Sequence, residues 1–127
     1  GKGGSKPVTK AKWAEKIRVS AQQAGTYREY FEDTILTLSA ILEKRDQVEK
    51  AYQKDGRRPV IEYTNKAGAT NLTKNPMLVL WDDLNKSALA YWRDLGLTPA
   101  GLKKIDEGAL TRKKRSALEE ALAEFGG

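Results

Sequence analysis

Between Asn75 and Leu95 the apolar residues Met77, Leu80, Trp81, Leu84, Ala88, Tyr91, Trp92 and Leu95 recur at spacings of three and four. That periodicity predicts one amphipathic helix with a broad apolar stripe. Its ends are marked by local chemistry. Asn75-Pro76 is a capping residue followed by proline at the first helical position, where a missing N–H costs nothing. Gly96 supplies a left-handed stop, Leu97 can fold back on the last turn, and Thr98-Pro99 starts another helix. Upstream, Tyr27 to Lys54 contains neither Gly nor Pro. Within it Tyr27, Phe31, Thr34, Leu38, Ile41, Arg45, Val48 and Tyr52 step by four and three, with Ile35 and Leu42 beside them. This predicts a second helix, about 42 Å long, that begins at a Thr26 cap and ends at Gly56.

The remaining segments give weaker patterns. Thr9 to Ala24 predicts a short helix with Trp13, Ile17, Ala21 and Ala24 on one face, broken by Gly25. Pro59 to Asn75 holds V-I-E-Y-T and A-T-N-L-T around N-K-A-G, which reads as a short β-hairpin or an extended crossover. The expected fold is mainly α: a long antiparallel helical hairpin with short flanking helices. Its divisions are a flexible basic leader over residues 1–8, a helical core and oligomerisation region over 9–107, and a C-terminal helix over 108–127.

The two long stripes bear on assembly. A helix of about 30 Å packed against one of about 42 Å is a thin object. By itself it cannot bury both stripes together with Trp13, Trp81 and Trp92. Other subunits would cover the remainder, and a compact monomeric four-helix bundle is the competing solution. The expected core and oligomerisation residues are Phe31, Ile35, Leu38, Leu42, Leu80, Trp81, Leu84 and Trp92.

Charge changes the picture next. The 127-residue chain carries a net charge of +6. All of it resides in residues 1–28, where Lys2, Lys6, Lys10, Lys12, Lys16, Arg18 and Arg28 face Glu15 alone. A basic arm before a neutral body is the pattern of a polyanion binder, although charged termini can merely solubilise. A second basic run, Arg112, Lys113, Lys114 and Arg115, has two readings. If a helix starts at a Thr111 cap, these cations sit against the helix dipole and invite an anion. If the helix starts near Leu102, the conflict vanishes, at a cost of about 1 kcal/mol for enclosing Gly108. Two loose helix-turn-helix patterns also occur: residues 99–105 before 112–125, and the 10–24 helix leading through Gly25 into the long helix.

Enzymatic chemistry has little to work with. There is no His and no Cys, which removes the commonest general base, thiol nucleophiles and most zinc ligands. No G-x-x-x-x-G-K-[ST] phosphate loop occurs. Asp82-Asp83 lies early in a helix, where anions favour the dipole, and no second acidic cluster is spaced to join it around a metal. No run approaches the 18 apolar residues of a membrane span, so no membrane partner is expected. No metal and no cofactor is expected either.

Four motifs in order carry a resemblance: W-A-E-K-I at Trp13–Ile17, N-K-A-G at Asn65–Gly68, the Asn75-Pro76 helix start, and L-G-L-T-P-A at Leu95–Ala100. Together, over roughly residues 10–105, the chain resembles the small subunit of phage DNA-packaging terminases. The resemblance implies a non-catalytic subunit that binds double-stranded DNA and forms a homo-oligomeric ring larger than a tetramer. It further implies service to a large terminase subunit, the motor and nuclease, in the cytoplasm of an infected bacterial host. Two other readings stand beside it: a dimeric helix-turn-helix regulator of DNA, and a helical scaffold whose basic tail binds an acidic protein.

Overall fold

The computed structural model describes residues 7–126 and consists mainly of helix. In order, α1 spans Lys10–Ala24, α2 Glu32–Lys54, β1 Val60–Thr64, β2 Thr70–Lys74, α3 Pro76–Asp94 and α4 Pro99–Gly126. A single 3₁₀ turn, Glu29–Phe31, precedes α2.

Local chemistry sets most boundaries. Thr9 Oγ1 accepts from the Lys12 N–H at the start of α1, and Gly25, at φ 74°, closes its end. Asn75 Oδ1 accepts from the Met77 N–H at 3.0 Å, with Pro76 at the first helical position. Gly96, at φ 71°, ends α3. Thr98 Oγ1 then accepts from the Gly101 N–H at 3.0 Å and opens α4.

The segment between α2 and α3 is a β-hairpin. Its strands pair antiparallel from Val60 opposite Lys74 to Thr64 opposite Thr70. In the connecting loop Asn65 Oδ1 accepts from the N–H groups of Ala67 and Ala69, both at 3.0 Å, and Gly68 takes φ 85°. A two-stranded hairpin is marginal alone. Asn75 anchors its base: it is buried, and its Nδ2 donates to the Arg58 carbonyl at 2.8 Å while its N–H donates to the Pro59 carbonyl at 2.9 Å.

Helices α1 and α3 both pack on α2. Contacts of Asn75 with Asp55 and of Asn85 with Arg45 run in opposite senses along the two chains, so α2 and α3 are antiparallel. The core is Ala14, Ile17, Ile35, Leu38, Leu42, Ala88 and Leu95, with Trp13, Tyr27, Phe31, Ile41, Tyr91, Trp92 and Leu97 packed around it. A polar knot ties the three helices at one end. Trp13 Nε1–H donates to Asp46 Oδ2 at 2.8 Å, while Arg45 bonds Asp46 Oδ1 and Asn85 Oδ1, both at 3.1 Å. The Arg45 guanidinium also lies 5.9 Å from the ring centroids of Trp13 and Trp81, and Trp13 meets Trp92 edge to face at 6.4 Å. Each such cation–ring contact contributes about 0.5–2 kcal/mol.

Several expectations change in three dimensions. The inward arc of α2 is Ile35, Leu38, Ser39 and Leu42, whereas Thr34, Ile41, Val48 and Tyr52 of the expected stripe are only half-buried. Having helices on two sides turns the buried arc of α2 toward α1. Ser39 tolerates burial because its hydroxyl donates to the Ile35 carbonyl at 2.7 Å. Phe31, Trp81, Leu84 and Trp92 are half-buried, and Leu80 is 49% exposed, so Leu80 is not a core residue of the single chain. Ala24 is exposed as well.

Thr26 does not cap the long helix. It is buried, Gly25 and Arg28 carry the turn, and α2 begins only at Glu32. Of the two starts open for the last helix, the one at a Thr111 cap is not formed: α4 runs unbroken through Gly108 to Gly126, and Arg112–Arg115 lie mid-helix. Continuing through one glycine costs about 1 kcal/mol, less than ending and recapping a helix. The helix-turn-helix expected over 99–125 is therefore not formed. Beyond Thr111 α4 is exposed at nearly every position, so the four helices do not make a compact bundle.

Candidate nucleic-acid interface

On α1, Lys10, Lys12 and Lys16 are exposed. Lys12 and Lys16, four apart, share one side of the helix, and Lys16 Nζ lies 5.3 Å from the Trp13 ring centroid. Lys2 and Lys6, which the sequence adds to this group, lie outside the described residues.

Arg18 is differently placed. Its guanidinium meets Glu32 with separations of 2.8 and 2.9 Å, and Tyr27 Oη–H donates to the same carboxylate at 2.8 Å. The hydrogen bonds from Arg18 and then Tyr27 hold the Glu32 carboxyl below the ordinary carboxylate range. Bonding to Glu32 in turn raises the pKa of Arg18 and of the Tyr27 phenol. Arg18 thus closes the α1–α2 turn from within, and its charge is already matched by Glu32.

The second run is exposed along α4 at Arg112, Lys113, Lys114 and Arg115 alike. Arg112 also reaches back toward Gly108, its Nη1 3.8 Å from the place a Cβ there would occupy. It lines an open cleft of about 500 Å³ together with Arg28, Arg93 and Lys104. Sequence reading did not single out Arg93 or Lys104, and no local pattern marks them, because the four cations come from three parts of the chain, the α1–α2 turn, α3 and α4.

Two close approaches build this cleft. Gly101 is buried where α4 crosses the end of α3, and a Cβ there would collide with the Arg93 carbonyl. A Cβ on Gly96 would lie 2.9 Å from Thr26 Cγ2 and would also press on Ile105. Thr26, which lines the cleft, is 5% exposed and its hydroxyl has no hydrogen-bond partner among the described residues. Such an orphaned buried hydroxyl costs about 1–3 kcal/mol.

The remaining helix-turn-helix candidate, α1 through Gly25 into α2, carries Glu29, Glu32 and Asp33 at the start of its second helix. Acids there face phosphate repulsion where a DNA-reading helix meets the groove. Asp82 and Asp83 are exposed on α3, and among the described residues no three acidic side chains converge as a metal site would require. No helix among the described residues is long and apolar enough to cross a membrane.

Fold and surface together define a small helical module with a β-hairpin between α2 and α3 and cations displayed on α1 and α4. The family model described as phage terminase, small subunit, matches residues 9–109, and the chain belongs to that family. No curated protein and no solved structure matched the chain.

Proposed function

We propose that this protein is the non-catalytic DNA-binding subunit of a phage packaging machine. It engages viral double-stranded DNA and presents it to the large terminase subunit, which holds motor and nuclease, in the cytoplasm of an infected bacterium. Family membership over residues 9–109 carries the reading. The exposed Lys10, Lys12 and Lys16, with Lys2 and Lys6 ahead of them, supply the sequence-independent attraction to phosphate. Lys113, Lys114 and Arg115 extend it along α4, and Arg18 contributes mainly by holding α1 in place.

The functional unit in this reading is a ring larger than a tetramer. Half-buried Ile41, Val48, Leu84 and Tyr91, with exposed Leu80, leave apolar surface along the α2–α3 pair that a second copy would cover. Residues 9–107 are then the assembling body. The segment from 108 on, where Leu118 and Leu122 are each 61% exposed, docks the large subunit.

Binding of a labelled duplex across a salt series tests the DNA reading. Log affinity falls by about 0.9 per log salt for each phosphate neutralised. Replacing Lys2, Lys6, Lys10, Lys12 and Lys16 with Gln flattens that slope and weakens binding to all sequences; an unchanged slope refutes the role of α1. Light scattering tests the ring, and a monomer of 14.1 kDa at every concentration refutes it. Leu118→Glu with Leu122→Glu abolishes stimulation of the large subunit's ATPase if α4 is the dock; full stimulation refutes that assignment.

A further inference from the structure

The cleft between the α1–α2 turn and α4 collects charge that the rest of the surface does not explain. Arg28, Arg93, Lys104 and Arg112 line it, and among the described lining residues Asp94 is the one carboxylate. Among the described residues none of these four cations forms an ion pair. Arg28 gives one guanidinium N–H to the adjacent Tyr27 carbonyl at 2.6 Å, which fixes the group without neutralising it. Four exposed cations from three parts of the fold line one open space, and an anion there would be attracted by all of them.

One neighbour narrows the anion. Thr26 also lines the cleft, but its unpartnered hydroxyl is sealed from solvent and offers a ligand no donor. Tyr30, also lining it, is 77% exposed and stacks edge to face on Phe31 at 4.8 Å. An exposed ring braced beside a basic cleft is a platform for a nucleobase.

We propose that this cleft binds the phosphate of a nucleotide unit, with Arg93, Lys104 and Arg112 on the phosphate oxygens and, where the nucleotide is free and its base unpaired, Tyr30 under the base. Arginine suits this role because its fork of N–H donors matches phosphate geometry. A terminal phosphate brings up to two charges and three oxygens where a carboxylate brings one and two, and along a DNA strand successive phosphodiesters of one charge each make up the match. The phosphate belongs either to a DNA strand or to a free nucleotide. The first source rests on the DNA-binding function proposed above; the second does not.

The experiment uses the full chain with three probes: ATP, inorganic phosphate and a short labelled duplex. Variants are the combined Arg93→Gln, Lys104→Gln, Arg112→Gln change, Thr26→Val, Tyr30→Ala and, as a control outside the cleft, Lys12→Gln with Lys16→Gln. Calorimetry at low salt gives affinities, and circular dichroism verifies each fold. The triple change weakens ATP at least about tenfold, as lost charge-assisted bonds require. Thr26→Val keeps the shape of the side chain and removes the orphaned donor, so it leaves ATP binding unaffected and Tm unchanged or higher. Tyr30→Ala weakens ATP and leaves inorganic phosphate unaffected.

If the duplex displaces ATP and loses affinity in the triple variant, the source is DNA. If ATP binds and the duplex neither competes nor responds, the source is a free nucleotide; both results support the cleft. If ATP, inorganic phosphate and duplex bind the folded triple variant as they bind the wild type, the inference is overturned. In that event, loss of duplex binding in the Lys12, Lys16 control leaves the proposed function standing without it.

Discussion

Two glycines on one helix, Gly101 and Gly108, should respond to alanine with opposite signs. Helix propensity treats them alike, and each Gly→Ala change should gain about 1 kcal/mol in a helix interior. At Gly108 nothing opposes the gain, because the nearest atom to an added Cβ is the flexible end of Arg112 at 3.8 Å. At Gly101 the added Cβ meets the Arg93 carbonyl, which is backbone and is held by the Gly96 N–H at 2.9 Å. It cannot swing aside as a side chain could. Overpacking of this kind costs about 1–3 kcal/mol, and immobile backbone places it at the upper end. The propensity gain is common to both variants, so their difference isolates the collision at about 3 kcal/mol. For a chain of this size that is roughly 10 °C between their Tm values, Gly108→Ala above wild type and Gly101→Ala below. Thermal denaturation by circular dichroism measures it. Limited proteolysis at residues 97–101 catches the case in which α4 lifts off α3 without global unfolding. If Gly101→Ala raises Tm as much as Gly108→Ala and leaves the junction protected, the close approach of α3 and α4 is wrong.

Other consequences are as direct. Leu38→Ala and Leu42→Ala, both at sites with no exposure, should each cost about 2–5 kcal/mol in urea unfolding. The charge network at the α1–α2 turn should give a pH signature. Because Glu32 is held below its ordinary value of 4.5, its stabilisation is present above that pH and fades as pH falls through the folded-state value. Wild type and Glu32→Gln should therefore differ in stability at neutral pH and converge in acid; a gap that persists at low pH argues against the network. Raising of the Tyr27 phenol has the opposite sense, so its contribution holds below pH 10.0 and is lost as pH rises through the folded-state value. Trp13→Phe removes the donor to Asp46 Oδ2 and should cost about 1–3 kcal/mol, with Asp46→Asn recovering little of it.

Local chemistry written within a few residues was legible in the chain itself. Asn75-Pro76, Gly96 and Thr98-Pro99 set helix ends where expected, because a cap bonds to N–H groups only two or three residues away. The strands around Asn65–Gly68, the apolar residues available for burial, the uneven charge and the family were legible for the same reason: each is a property of short segments or of their order. Which arc of α2 turns inward was not, since α1 and α3 compete for it from two sides. Nor was the fate of Arg18, whose partner Glu32 is brought opposite it only by the fold. The continuity of α4 rested on a balance of about 1 kcal/mol, too small for a local rule to decide. The basic cleft is the plainest case. Arg28 and Arg112 stood out in sequence only as members of other basic runs and Arg93 and Lys104 not at all, and only the close crossing of α3 and α4 at Gly101 brings the four around one space.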